Sequence, residues 1–342
     1  MVSLRIYIAT RALLTIPTII ILLTIVFAIM RILPGDPVTA IVGMKAPPEQ
    51  IQELKKELGL IDEFGKPIPL YIQYLNYFSG IIKGDFGKSL IWGKRPVIIE
   101  ILEHFPATIE LSIMGFIVSL LIGLISGVYS AHKYSSWMDS TIRIYGIISY
   151  ALFIPWIGML FQMFFGVQLK ILPVAGRIDP GMEPQQITGL FLLDSIITFN
   201  WPSFISSLKH LILPSITLGI VLSGIFTRLT RGAMLEVLSQ DFIIAAKARG
   251  LPNRKILLHA LKNAFIPILT MMGLQFALLL TGAILTETTF SWPGIGTFLM
   301  ERINYRDYTT VQGTVVFFAI IISLVSLIVD LIYAYIDPRI RY

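Results

Sequence analysis

The sequence predicts an all-α integral membrane protein with six transmembrane helices and an outer insert between the first and second. Three observations carry that reading. Only 14% of the 342 residues are charged and 55% are hydrophobic, whereas an ordinary soluble domain carries roughly 25% charged residues. The apolar residues gather into six uncharged runs, each near the ~20 residues that a helix needs to cross hydrocarbon. The basic residues outside those runs concentrate on alternate connections.

The first run, Ala12–Met30, follows Arg5 and Arg11. A cleaved signal peptide is the alternative, but the apolar stretch is too long and no small-x-small site follows, so an uncleaved first span is expected. The next runs are Leu111–Ala131, Ile144–Val167, Leu211–Thr227 (the shortest) and Ala264–Thr286. The last is Tyr308–Val329, whose apolar pattern continues past Asp330 to Ile336. The chain thus divides into residues 1–34, an outer insert at 35–108, and a five-span core at 109–342 with a cytoplasmic loop at 228–264.

With both termini cytoplasmic, that loop carries Arg228, Arg231, Lys247, Arg249, Arg254, Lys255 and Lys262 against Glu236 and Asp241. Lys133, Arg143, Arg339 and Arg341 fall on the same side, while the two outer segments are nearly balanced. This is the asymmetry of the positive-inside rule, and it places the protein in the cell membrane. The net charge of +6 therefore reflects sidedness and not a nucleic-acid surface, which would need clustered basic residues on a soluble face.

In the insert, "PPEQIQELKKELGL" reads as a short helix after paired prolines, ending at Gly59. "PLYIQYLNYFSGIIKGDFGKSL" has helical spacing, with Tyr71, Tyr74, Tyr77 and Phe78, then a turn at Gly84-Asp85. It suits an amphipathic helix on the leaflet or against the spans, and equally a docking surface for an external protein. Val167–His210 is a second outer loop rich in Pro and Gly.

Several chemistries are excluded. Cysteine is absent, so there is no disulfide or thiol chemistry. The four histidines are scattered without ligand spacing. No phosphate-cradling G-x-x-x-x-G-K-[ST] occurs, so no cofactor or nucleotide site is expected. Charges near the spans (Arg31, Glu110, Glu287, Asp330) sit at their ends. A secondary transporter usually keeps ionisable groups at mid-membrane, where insertion costs roughly 2.5–3.5 kcal/mol and demands a functional reason. The spans instead carry small residues at helical spacing: Ser112, Gly115, Ser119, Gly123 and Gly127; Ser215, Gly219 and Ser223; Thr270, Gly273, Ala277 and Thr281. Close helix packing explains all three stripes. Lining of a pathway is the alternative, strongest for the last stripe, with Met271 and Gln275 nearby.

"AAKARGLPNRKILLHALKNAFIPILT" (Ala245–Thr270) interrupts the apolar pattern. Gly250 suits a left-handed helix cap, Pro252 prevents continuation, and Asn253 is expected to cap a second helix. In that helix Ile256, Leu257, Ala260, Leu261 and Ala264 form one face, and Arg254, Lys255, His259 and Lys262 the other. The result is a helix–turn–helix elbow joined to the fifth span. A basic helix lying on anionic lipid is the alternative, but a surface helix gains nothing by bending.

This stretch resembles the "EAA" loop of the membrane subunits of ATP-binding-cassette importers, with Ala245, Ala246 and Gly250 at its signature positions. Ile244 replaces the usual glutamate, and Asn263 stands where proline is usual, with Pro267 later. Those departures are similar to the B-type permeases of dipeptide and oligopeptide importers, as are "RILPGDP" (Arg31–Pro37), "GDFGKSL" (Gly84–Leu90), "ETTFSWPGIG" (Glu287–Gly296), "RDYTTVQG" (Arg306–Gly313) and "DPRIRY" (Asp337–Tyr342). The resemblance implies a type I importer fold and a subunit that catalyses nothing itself. It implies a second homologous permease, two ATPase subunits and an external solute-binding protein as partners, besides membrane lipid. It assigns Ala245, Ala246, Gly250, Leu251 and Arg254 to contact with the ATPase. The solute would be peptide, with oligosaccharide or nickel as alternatives. From other classes, a stand-alone secondary transporter would need mid-membrane charges, and a structural or receptor protein would not need the elbow.

Overall fold

The computed structural model describes residues 4–32, 47–91 and 93–336. Within them the regular elements are helices: α1 (Leu4–Ile32), α2 (Pro48–Glu57), α3 (Leu70–Ile82), α4 (Val97–His132), α5 (Trp137–Ala151), α6 (Ile154–Phe161) with a π-helical continuation (Gln162–Gln168), α7 (Phe191–Ile197), α8 (Trp201–Leu238), α9 (Asp241–Ala248), α10 (Asn253–Phe290), α11 (Ile295–Asn304) and α12 (Tyr308–Ile336). "PGDP" and "DPRIRY" lie outside the described residues.

Among the described residues, α1, α4, α8 and α12 are each long and apolar enough to cross a membrane. The third expected span, Ile144–Val167, is not one straight helix. It is broken between α5 and α6, whose axes differ by 103°. Leu152 and Phe153 are extended and Pro155 occupies the first turn of α6. Proline has no N–H to continue the ladder, so it suits the first turn of a new helix and not the interior of one running on from α5. Counted as one span, the bent pair makes a fifth. The fifth expected run lies inside the continuous helix α10, several of whose side chains are outside the described set.

The chain forms two compact units. One is built around Pro106–Gly296, with α8 at its centre: 78% of the apolar window of that helix is buried. The small-residue stripes of α4 and α8 meet here. A Cβ on Gly115 would lie 2.7 Å from Leu218, one on Gly127 2.5 Å from Thr230, and one on Gly123 within 3.1 Å of the Phe226 backbone. Gly219 answers from α8 by receiving Val118. Hydroxyls also join α8 to its neighbours, Ser126 of α4 to Thr227 at 2.7 Å and Tyr145 of α5 to Ser223 at 2.6 Å. In these two helices the stripes are thus close-packing surfaces, as such spacing allows.

The second unit comprises Ala9–Phe105 and Thr297–Leu324. Its α2 ends at Glu57, with Gly59 at φ +65°, where the sequence places the stop. The aromatic helix α3 packs on α1: the Phe27 ring lies 5.3 Å from Tyr74 and 5.5 Å from Tyr77, and the Tyr74 hydroxyl is 2.7 Å from Thr24 Oγ1. Its other face leaves Tyr71, Leu75 and Ile82 exposed. Two of the quoted motifs come together in this unit. Ser89 of "GDFGKSL" donates to the buried Asp307 of "RDYTTVQG" at 2.6 Å. Asp307 also accepts from the Thr310 N–H and hydroxyl, capping α12.

A bulky residue at the α4–α8 seam has nowhere to go, because Phe226 backbone as well as side chain faces Gly123. Gly123→Val is expected to destabilise the protein by about 3 kcal/mol, the upper range for overpacking. Thermal unfolding followed by size-exclusion in detergent checks this; a midpoint equal to wild type would mean that the helices are not in backbone contact.

Candidate functional site

The elbow expected at Ala245–Lys262 is present and firmly mounted. Helix α9 ends at Ala248 with Arg249 as its cap, and Gly250 takes φ +73°. The Gly250 N–H donates to Lys247 O (2.9 Å) and the Leu251 N–H to Ala246 O (3.2 Å), the paired bonds of a Schellman turn. No atom lies within 4 Å of a Cβ added at Gly250; its constraint is conformational. Asn253 is not the cap expected of it. It is the first helical residue, and Pro252 precedes the helix in extended conformation, its carbonyl accepting from Lys255 and Ile256. The fixed φ of proline sets that start without a side-chain cap.

Beneath the turn, Ile243, Ile256, Ala260, Ala264 and Ile268 are buried against Ala131 of α4 and Met234 and Val237 of α8. Ala246, Leu251, Leu257 and Leu261 pack around them. Burying each large side chain contributes roughly 1.5–3 kcal/mol. Arg254, Lys255, His259 and Lys262 are exposed, as the face pattern predicts. So are Ala245, Phe242 and Ile244, the last at 60%. The elbow therefore presents an apolar crest with basic flanks. Arg228 and Arg231 belong to α8, which runs on to Leu238 because nothing breaks it sooner. Arg231 holds the buried Asp139 at 2.7 and 2.9 Å, and Ser130 donates to the same carboxylate at 2.5 Å. This ties the α4–α5 turn to α8 beside the elbow.

The expected pathway residues all lie on α10. The side chains of Thr270, Gly273 and Ala277 are outside the described set. Thr281 is exposed, Met271 is half-buried, and Gln275 is buried. Gln275 thus faces the packed side of the helix and Thr281 the open side.

Sequence reasoning missed a clamp in the loop between the π-helix and α8. Arg177 donates from Nε and Nη2 to Glu110 Oε2 (2.9 and 2.6 Å) and to Gly189 O (2.8 Å). Its guanidinium lies 3.8 Å over the Phe191 ring, a cation–π contact. Glu110 accepts from the Leu192 N–H through its other oxygen. Burial pushes the Arg177 guanidinium below its ordinary value, against the pull of Glu110. Asp194 gathers the N–H groups of Ile187, Thr188 and Gly189. Its burial acts to raise its pKa, and the Thr188 hydroxyl at 2.7 Å together with these bonds outweighs that, leaving it low. Next to the clamp, "ETTFSWPGIG" closes a tight turn. The Gly296 N–H donates to Glu287 at 2.6 Å, and the fully buried Trp292 donates to Ala107 O at 2.8 Å. The available signals were Glu110 and Glu287 at the ends of apolar runs and Arg177 in a Pro/Gly-rich loop.

Long apolar helices packed through glycine seams mark a multi-pass membrane protein. The family described as the binding-protein-dependent transport system inner membrane component matches residues 119–342, and its N-terminal counterpart matches residues 4–112. The chain is 42% identical to the dipeptide transport system permease protein DppB of Alkalihalophilus pseudofirmus over 337 residues, covering 98% of this chain and 99% of that one. It is 40% identical to DppB of Escherichia coli over 341 residues (98% of each). It is 36% identical to the glutathione transport system permease protein GsiC of Escherichia coli over 340 residues (98% and 99%). The chain belongs to this family of importer permeases, in its B-type dipeptide and oligopeptide branch, and is a multi-pass membrane protein.

The clamp makes a graded prediction. Glu110→Gln leaves a buried arginine without its anion and is expected to cost roughly 3–5 kcal/mol, whereas Glu110→Gln with Arg177→Met is expected to cost distinctly less. Thermal midpoints of the three proteins check this, and equal loss in single and double variants would show that Arg177 does not depend on Glu110.

Proposed function

We propose that this chain is one of two related permease subunits of an ATP-driven importer, forming half of the path for short peptides delivered by an external binding protein. The elbow carries the proposal. Its crest of Phe242, Ile244 and Ala245, flanked by Lys247, Arg249, Arg254 and Lys255, suits an apolar cleft with an acidic rim on an ATPase subunit. Ala246 and Leu251 hold the crest from beneath, and Gly250 sets its direction. Helix α10 then runs 38 residues without a break, about 57 Å at 1.5 Å per residue. A push on α9 would travel along it. The face of Thr270, Gly273, Ala277 and Thr281, with Met271 nearby, is the proposed path, and Gln275 supports it from the packed side of the helix. The small-residue seams allow neighbouring helices to shift while staying packed. Peptide as solute is supported by the relatives, whose names specify dipeptides, di- and tripeptides and glutathione. The two ATPases supply hydrolysis, since the sequence has no phosphate loop. The basic bias of the elbow side supports six spans with both termini cytoplasmic.

The turn offers a direct test. A β-branched residue at a left-handed position is strained by roughly 1–2 kcal/mol, too little to unfold the chain but enough to redirect α10. Gly250→Val is expected to insert normally yet lose ATPase co-purification or labelled-dipeptide uptake, and Gly250→Asn is expected to be milder. Wild-type behaviour of both variants in both assays refutes the elbow's role. Uptake competed by nickel ion or an oligosaccharide and not by dipeptides would reassign the solute.

Topology is tested by single cysteines in a chain that has none. A cysteine at Lys56 is expected to react with an impermeant maleimide in intact cells and one at Lys255 is not. The reverse pattern inverts the orientation.

A further inference from the structure

Within the unit around Pro106–Gly296, the depth of the break between α5 and α6 can be read from its neighbours. On α8 the charged residues Lys209 and Arg228 stand 19 positions apart, about 28 Å of helix and close to the roughly 30 Å of hydrocarbon in a bilayer. Just before the break, Ser149 lies against Gly224. Just after it, Ile154 and Leu218 meet at Gly282 of α10, where an added Cβ would lie 3.3 and 3.2 Å from their Cδ1 atoms. Leu152 and Phe153 therefore sit between the levels of Gly224 and Leu218, near the middle of the membrane.

The break frees main-chain groups at that depth. Leu152 (φ −70°, ψ 135°) and Phe153 (φ −79°, ψ 117°) are extended. The Leu152 N–H reaches Ser149 O at 3.4 Å, and Phe153 O receives the N–H groups of Trp156 and Ile157. The Phe153 N–H and the carbonyls of Ala151 and Leu152 have no partner among the described residues. Tyr150, Ala151 and Phe153 are exposed on the same stretch. Lipid tails offer such groups nothing to bond, so irregular backbone at this depth lines a water-filled space or is covered by protein. Gly282, beside Ile154, is flanked by the exposed Leu278, Thr281 and Leu285. The break thus borders the open face of α10.

We propose that this break is a main-chain binding site halfway along the path, where the Phe153 N–H and the carbonyls of Ala151 and Leu152 exchange hydrogen bonds with the peptide group of the passing solute. The site rests on the peptide-permease reading above. Short peptides differ in every side chain and share the amide, so a site made of backbone accepts them all; bonding of this kind gives affinity without side-chain preference. A nickel ion would meet no imidazole, thiolate or carboxylate in residues 150–154, the side chains that divalent metals favour.

Proline at position 153 is the direct probe, since it deletes one N–H. Its fixed φ is close to the −79° of Phe153, and Leu152 already has the extended conformation that a following proline imposes. The assembled transporter is reconstituted in liposomes with its binding protein saturated with labelled dialanine, so that delivery is not limiting. Phe153→Ala, which removes the ring and keeps the N–H, is the reference. Phe153→Pro is expected to lower uptake per ATP hydrolysed about three- to tenfold below that reference, the effect of one hydrogen bond. Equal uptake by the two variants overturns the main-chain site and leaves the permease reading standing. Failure of the wild type to import dialanine refutes that reading and the site with it. Should Phe153→Pro not assemble, Phe153→Cys decides, in a chain otherwise free of cysteine. It is expected to react with a hydrophilic thiosulfonate, read on this chain after electrophoresis, and to be protected by dialanine during turnover. A cysteine that stays unreactive with and without ATP overturns the proposal and makes the break a contact with the second permease; one that reacts without protection overturns it too.

Discussion

The unit around Pro106–Gly296 depends on one constraint: α4 and α8 approach until backbone meets backbone. In hydrocarbon there is no water to drive helices together, so association rests on dispersion contacts and the few hydrogen bonds that close approach permits. Gly115, Gly123 and Gly127 remove the Cβ atoms that would hold α8 away. The elbow and the Arg177 clamp are mounted on the ends of this pair. At one end Ala131, Met234 and Val237 form the floor of the elbow. At the other, Leu111 and Leu211 sit in the cluster that encloses Trp292, beside the Arg177 clamp. A shift of α8 along its seam would therefore reach both ends without any loop having to carry it.

Three buried ion pairs share one feature. Glu110 with Arg177, Asp139 with Arg231 and Glu100 with Arg302 are each buried or nearly so, and each joins residues far apart in sequence. Such pairs bring little net stability over apolar substitutes, yet breaking one is costly because a charge is stranded. They fix which segments meet more than how strongly. The bidentate grip of Arg231 on Asp139 suits that purpose, since a guanidinium fork dictates direction as well as distance.

The sequence made the helical class, the long spans and the elbow legible because each has a local signature. Uncharged runs mark α1, α4, α8 and α12; the Gly250–Pro252 punctuation marks the turn; the split between Ile256 and Arg254 faces marks what is buried. The α5–α6 break was less visible, because hydropathy stays high across Leu152–Phe153 and only Pro155 hints at it. Asn253 misled because asparagine favours caps, whereas Pro252 had already fixed the chain direction. The Arg177 clamp, the Asp139 grip and the Ser89–Asp307 contact were illegible for one reason. Each joins residues tens to hundreds of positions apart, and no local pattern announces a partner. For the candidate site the outcome was similar: periodicity placed the elbow's faces correctly, but could not say that Gln275 turns to the packed side of α10 while Thr281 turns to the open one.

The bond between Ser89 and Asp307 spans 218 positions of sequence. A ribosome adding about 5–20 residues per second needs roughly ten to forty seconds to cover that interval. During that time "GDFGKSL" exists without the carboxylate that will receive it, and the Glu100 side chain awaits Arg302. The early part of the chain must wait in the membrane, half-assembled, until nearly the last helix has been made. A truncation before residue 307 therefore removes more than a span. It leaves the beginning of the protein without the end that completes it, and quality-control proteases would meet a long-lived, partly assembled chain.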